Sequence, residues 1–240
     1  MERIIDHKLT DLRDRLLLLG GATEKALLNS VRSLVERDSE LAKRVIKGDK
    51  KINKMELEID QASIELLALQ QPAAHDLRFV ISVAKITPLL ERIGDHSSGI
   101  AESAIVLNDE PETRTYIDFP KMAEIASEML QAALDAFTTE DAVVSRKVIL
   151  RDKEIDKIYE RVFSEIIQMI IENPESTTSA AHLLFIAKHL ERIGDYVKDI
   201  SELNVYLTEA VFIKHGKKKD LKKSIRESEA ADEAESSSPD

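Results

Sequence analysis

Leu90-Glu91-Arg92-Ile93-Gly94-Asp95 recurs letter for letter as Leu190-Glu191-Arg192-Ile193-Gly194-Asp195. An identical six-residue match inside one chain has a chance expectation on the order of a few per thousand at average residue usage, so the pair marks an internal duplication. The flanks extend it. Asp49-Lys50-Lys51-Ile52 matches Asp152-Lys153-Glu154-Ile155, and each tetrapeptide lies about forty residues ahead of its hexapeptide, the spacing of corresponding helices in a repeated unit. Val31 and Leu34 align in turn with Leu134 and Phe137.

The residues between these anchors read as helix almost throughout. Only 7 glycines and 6 prolines interrupt 240 residues rich in Leu, Ile, Ala, Glu and Lys. Aromatic residues are 4% with no Trp, which calls for an aliphatic core. The periodicity predicts a first helix from about Ile4 to Glu36, bent at Gly20-Gly21, and a second from the Arg37-Asp38-Ser39 turn to Gln70. A third opens with Pro72 as its first residue and runs to Leu107, with Pro88 bending it. After a linker at Asn108–Thr113, a fourth helix covers Pro120 to Phe137. Thr138-Thr139-Glu140-Asp141 then caps a fifth through both the Thr hydroxyl and the Asp carboxylate. Asn173-Pro174 opens a sixth that ends near Lys214. The expected fold is all-α: two tandem three-helix bundles, six long antiparallel helices related by a pseudo-two-fold repeat. The boundaries fall at 1–110 for the first repeat and 111–213 for the second. Residues 214–240, charged and almost devoid of apolar side chains, are expected to be disordered.

Composition narrows the function. The net charge of −11 argues against nucleic acid, since no broad basic surface is available to displace counterions from phosphates. Without cysteine there are no disulfides, thiolate metal sites or thiol nucleophiles. The N-terminus has no signal-type apolar region and no apolar run approaches the roughly 20 residues of a membrane span. The expected location is the cytoplasm.

The duplicated motif places Glu91 with Asp95, and Glu191 with Asp195, one turn apart on one helix face. Asp49 in the second helix and Asp152 and Asp156 in the fifth add carboxylates if the helix faces meet. Such a cluster protonates, pairs with arginine or binds a cation. A cation site with oxygen donors suits hard ions, carboxylate-bridged iron or manganese, or zinc. The plainer reading has Arg92 and Arg192 neutralise their neighbours. Glu56, Asp60, Glu102, Glu160, Asp199 and Glu202 read better as solvated helix faces, and His96 as a surface histidine, because Tyr196 replaces it in the second copy. Gly94 and Gly194 allow close approach of a neighbouring helix.

Enzymatic chemistry has little to stand on. No histidine has a Glu three residues earlier; Ile4, Pro72, Ile93, Ser179, Ile186 and Phe212 occupy those positions. That removes the Glu-x-x-His pair of di-iron bundles. There is no His-Glu-x-x-His zinc motif, no glycine-rich phosphate loop and no nucleophile–base set.

At these residues the chain resembles the PhoU family of phosphate-specific transport system accessory proteins. The likeness rests on both copies of Glu-Arg-Ile-Gly-Asp and on the Asp38–Asp49 stretch. Gly20-Gly21 and Gln71-Pro72-Ala73-Ala74-His75-Asp76-Leu77-Arg78 add to it, in order over residues 5–210. It implies two three-helix bundles that self-associate as a homodimer and repress the phosphate-starvation response. The implied partners are the ATPase subunit of the phosphate ABC transporter and the sensor histidine kinase, with the membrane reached only through them. The resemblance also implies multinuclear iron or zinc held by Glu91, Asp95, Glu191, Asp195, Asp49, Asp152 and Asp156. Asn53, standing where the second repeat has Asp156, is expected to weaken the first site. Arg92, Arg192, Asp76 and Arg78 are candidates for supporting or phosphate-facing roles, the last two without counterparts in the second repeat. The competing reading is a metal-binding or storage protein unconnected with phosphate signalling. A third has the basic stretch Lys214–Lys223 bind a membrane surface.

Overall fold

A computed structural model describes residues 4–111, 118–213 and 218–236. These form seven helices: α1 (Ile4–Val35), α2 (Ser39–Gln70), α3 (Ala74–Asp109), α4 (Phe119–Thr139), α5 (Ala142–Glu172), α6 (Thr177–Glu209) and α7 (Lys218–Ser236), with one 3-10 turn at Pro174–Ser176. Helices α1–α3 make the first bundle and α4–α6 the second. The bundles meet along α3 and α6, flanked by α1 against α4. In α1, Leu12, Leu16, Leu19, Thr23, Leu27 and Val31 are buried at three- and four-residue spacing, the stripe of a helix facing a core. One continuous apolar core runs through both repeats. Phe79 of α3 stacks on Phe137 of α4 across the seam, with ring centroids 5.4 Å apart.

The helix ends repeat as the interiors do. Asp38 caps α2 by accepting from the Leu41 amide at 2.8 Å, and Asp141 caps α5 by accepting from the Val144 amide at 2.8 Å. Each such cap is worth about 1 kcal/mol. Opposite these caps, Arg37 donates to the Asn108 and Glu110 carbonyls in the first repeat. In the second, the buried Arg146 guanidinium grips Glu209 with both terminal nitrogens. The short turns are thereby tied to the far ends of α3 and α6.

Several boundaries differ from the sequence reading. Pro72 is not the first residue of α3. Gln71 turns the chain in the left-handed region (φ 44°), and the helix begins at Ala74. Thr138 and Thr139 do not cap α5. Their hydroxyls bond back to Leu134 and Asp135 within α4, leaving Asp141 to act alone. Pro174 opens the 3-10 turn, and α6 starts at Thr177. Helix α1 runs without interruption through Gly20-Gly21, where a Cβ on Gly20 would come within 2.5 Å of Leu134 of α4. Gly20 therefore sets the spacing of the two bundles.

The tail also departs from expectation. Most of it is helix α7, which docks on α5. Leu221 and Ile225, one turn apart, are buried, and Glu229 another turn on pairs with Lys147 at 2.7 Å. Two apolar residues on one face suffice to attach a segment whose average composition is polar. The rest of 214–217 and 237–240 lies outside the described residues.

Glycine inside the hexapeptide fixes the helix spacing in each bundle. A Cβ on Gly94 would sit 3.0 Å from Ile52 Cδ1, and one on Gly194 would sit 2.9 Å from Ile155 Cδ1. Gly94→Val is expected to overpack this contact and lower stability by about 1–3 kcal/mol. Gly21→Ala, with open space around its Cβ, is expected to raise it by roughly 0.5–1 kcal/mol. Denaturant unfolding of the two variants beside the parent checks both signs.

Candidate functional site

With Ile52 seated on Gly94, the α2 carboxylates face the α3 motif. Asp49, Glu56, Asp60 and Glu91 are half-buried and Asp95 is exposed. Burial, and then the charge of Asp95, push the Glu91 carboxyl up to about 7, with Glu56 and Asp49 adding to the effect. Asp49 is raised by burial and by Asp95, and Glu56 by burial, Asp60 and Asp95. Burial also raises Asp60. This is a set of like charges that resist ionising together.

Its polar atoms are incompletely partnered. Asn53 donates to Asp49 Oδ2 at 3.2 Å. Asn53 Oδ1 is buried without a hydrogen-bond partner, and Ser98 lies beside Asp49 and helps hold its carboxyl down without a well-formed hydrogen bond between Ser98 Oγ and Asp49 Oδ1. Arg92 does not pair with Glu91 or Asp95; its guanidinium lies 5.8 Å from the Tyr196 ring centroid in the other repeat. Arg92 thus neutralises neither carboxylate of its own motif; its charge is felt at Glu56 of α2, which it lowers against burial and the neighbouring acids.

The second cluster is arranged differently. Asp152 is buried, and Lys198 reaches it at 3.2 Å and Asp195 at 3.9 Å. Lys188 contacts Glu191 at 2.6 Å, and Arg192 contacts Asp195 at 3.4 Å. Burial raises Asp152, though Lys198 opposes it. Asp156 is raised by burial and by Asp195. Burial pulls Lys198 down, but Asp152, Asp195 and Glu202 outweigh it and its pKa rises. A cation is thus built into this cluster. The first repeat has Pro88 and Ser98 where the second has Lys188 and Lys198.

The structure gathers Asp49, Glu91 and Asp95 in one cluster and Asp152, Asp156, Glu191 and Asp195 in the other. It adds Glu56 and Asp60, which the sequence reading assigned to a solvated face, and Lys198, which that reading missed. The signal for Lys198 was its position three residues after Asp195, with an uncharged counterpart at Ser98. Asp76 and Arg78 are not brought in. They sit at the start of α3, roughly 20 Å along the helix from Glu91, and Arg78 donates to the Leu207 carbonyl. Among the described residues, no three His, Asp or Glu side chains converge on one point closely enough to hold an ion as they stand.

His96 is not a surface histidine. It lies half-buried at the α3–α6 seam, its Nδ1 2.7 Å from Nδ1 of His189, with Tyr196 Oη 3.4 Å from its Nε2. With the two Nδ1 atoms facing each other, one ring donates and the other accepts, and burial favours the neutral form of both rings. Burial, then His189 and Arg192, bring His96 down to about 4. Gly99 makes room, since a Cβ there would fall 2.6 Å from His189 Nε2.

The PhoU domain model matches residues 16–104 and 119–203, one match per bundle. The chain belongs to the PhoU family. A Pseudomonas aeruginosa phosphate-specific transport system accessory protein PhoU homolog is 38% identical over 209 residues, covering 87% of this chain and 86% of its own. An Aquifex aeolicus homolog of the same name is 34% identical, covering 87% and 94%. Two solved structures share the architecture. PhoU from P. aeruginosa has TM-score 0.83 at 37% identity, covering 86% of this chain and 99% of its own. The phosphate transport system regulatory protein PhoU from Streptococcus pneumoniae has TM-score 0.81 at 32% identity, covering 87% and 98%. Both acidic motifs lie inside the PhoU match, whereas α7 lies beyond it.

The raised Glu91 carboxyl gives a pH signature. Its folded pKa, about 7, exceeds the ordinary 4.5, so between those values the folded state holds a proton that the unfolded state has released. Stability of the metal-free protein therefore falls as pH rises through this window. Glu91→Gln is expected to match the parent below the window and exceed it above. Thermal melts across the pH range in the presence of a chelator measure the crossover; parallel curves would remove the assignment.

Proposed function

We propose that this PhoU protein is a non-catalytic regulatory adaptor. It works on the cytoplasmic side as a homodimer, linking the phosphate ABC transporter's ATPase subunit to the sensor histidine kinase, and represses the phosphate-starvation response while phosphate is plentiful. The observation that carries this reading is the match of both repeats, at 33–39% identity over most of the chain, to proteins named for a phosphate-specific transport system. No helix among the described residues is long and apolar enough to cross a membrane. In this reading the protein reaches the transporter by docking onto its subunits.

Deletion of the gene is expected to raise alkaline phosphatase activity in phosphate-rich medium, and the wild-type copy to restore repression. A copy with Glu91, Asp95, Glu191 and Asp195 all changed to Ala, shown to be folded, tests whether the acidic motifs serve that role. Unaltered phosphatase activity after deletion would remove the regulatory reading.

A second reading concerns metal, and the buried, poorly satisfied oxygens of Asp49 and Asn53 favour it in the first repeat. Asp49, Asn53, Glu91 and Asp95 would hold an oxygen-ligated cation such as iron or zinc there, with Glu56 beside them. When bound, the ion supplies positive charge that lets the raised carboxyls ionise. The donor set of the first repeat fits this role despite Asn53, because its one nearby cation, Arg92, lowers only Glu56 and pairs with neither Glu91 nor Asp95. In the second repeat Lys188 and Lys198 stand beside Asp152, Glu191 and Asp195 and oppose a further cation. Metal analysis after anaerobic reconstitution is expected to find metal lost on Asp49→Asn/Glu91→Gln substitution and retained on Asp152→Asn. The reverse pattern, or empty parent protein, sinks this reading.

A further inference from the structure

The two repeats differ sharply on the outer face, where the first two helices of each bundle meet. In the first repeat α1 and α2 leave an open slot of about 490 Å³, floored by Ala22, Ala26, Leu41, Val45 and Ile52. Its rim carries Lys25, Arg32, Arg44 and Lys51, all exposed. Lys25 and Lys51 pair with no carboxylate among the described residues. Arg32 and Arg44 make only exposed contacts, at 3.9 Å to Glu36 and 3.5 Å to Asp38, of the kind that contributes little.

The register that pairs Asp49 with Asp152 and Val31 with Leu134 identifies the same face in the second repeat. There Ile125 and Met129, both buried, replace Ala22 and Ala26. Arg151 replaces Gly48 and bridges α5 to Glu128 of α4. The slot is filled and bridged. Three of the four rim charges are inverted: Glu128, Asp135 and Glu154 stand at the positions of Lys25, Arg32 and Lys51, while Lys147 at the position of Arg44 is paired with Glu229 of α7. Small residues and cations therefore coincide on one repeat, in a chain whose net charge is −11.

We propose that the α1–α2 slot seats one amphipathic helix of a partner protein, apolar along the seated face and acidic along both flanks. The lining runs from Ala22 to Arg32 on α1 and from Leu41 to Ile52 on α2, roughly 15 Å at a helical rise of 1.5 Å per residue. That is about three turns, enough for anchors at i, i+4 and i+7. The four cations select acidic flanks and repel basic ones. Helix α7 of this chain is already engaged, with Leu221 and Ile225 buried as it packs on α5.

The probe is a fluorescein-labelled synthetic amphipathic helix of about four turns, with Leu on one face and Glu on the flanks. It is titrated with the full chain and followed by anisotropy. An isomer with Lys for every Glu serves as control. Two variants import residues the second repeat already tolerates: Ala26→Met fills the slot, and Lys25→Glu/Lys51→Glu inverts the rim. The Glu-flanked helix is expected to bind the parent, with affinity reduced about tenfold or more by each variant, and the Lys-flanked isomer is expected not to bind. Circular dichroism confirms that the variants remain folded. Absence of binding by the Glu-flanked helix, equal binding of the Lys isomer, or binding indifferent to both variants overturns the proposal. So does light scattering in which Ala26→Met turns a dimer into a monomer, since the slot would then belong to a second copy.

Discussion

In each repeat an isoleucine from one helix rests on the bare backbone of a glycine in the next. Much of the structure follows from that contact. Ile52 on Gly94 and Ile155 on Gly194 set how near α2 comes to α3 and α5 to α6. A glycine in a helix interior costs about 1 kcal/mol against alanine, and here the close approach offsets it. The consequence is electrostatic. Carboxylates spaced along two helices are pressed into one region, partly out of water, where they cannot all ionise without a compensating positive charge.

The repeats meet that requirement by different means. The second repeat carries its own cations: Lys198 lies against the buried Asp152 and Lys188 against Glu191. In the first, Pro88 and Ser98 occupy those positions, and the imbalance appears as a Glu91 carboxyl pushed up to about 7 and as poorly satisfied buried oxygens on Asp49 and Asn53. Duplication supplied two equal scaffolds, and substitutions at a few positions gave them different electrostatic states. The same divergence is visible on the outer face, where Ala22, Ala26 and Gly48 stand against Ile125, Met129 and Arg151.

Much of the fold was legible before any coordinates, and the reasons are local. Asp38 and Asp141 announce helix starts by their own chemistry, and the repeated hexapeptide aligns the two bundles. The failures are of another kind. Helix α7 was hidden because Leu221 and Ile225 are two apolar residues in a charged tail, and what orders them is the surface of α5. Thr138 could have capped α5 but bonds back into α4, a choice between two local partners that the sequence leaves open. The acidic ligand candidates were found because they are duplicated. Lys198 was missed for the opposite reason, since its counterpart Ser98 breaks the repeat. The seam between His96 and His189 joins residues on different helices of different repeats, and no periodicity reports such a contact.

The first acidic cluster is held short of positive charge. The direct measurement is an NMR titration of side-chain carboxyl carbons in the metal-free protein, with Glu91→Gln used to assign the resonance. The expected Glu91 midpoint is near 7. A midpoint in the ordinary carboxylate range, near 4.5, would contradict it, because the cluster would then be solvated and the difference between the two repeats would have no electrostatic meaning.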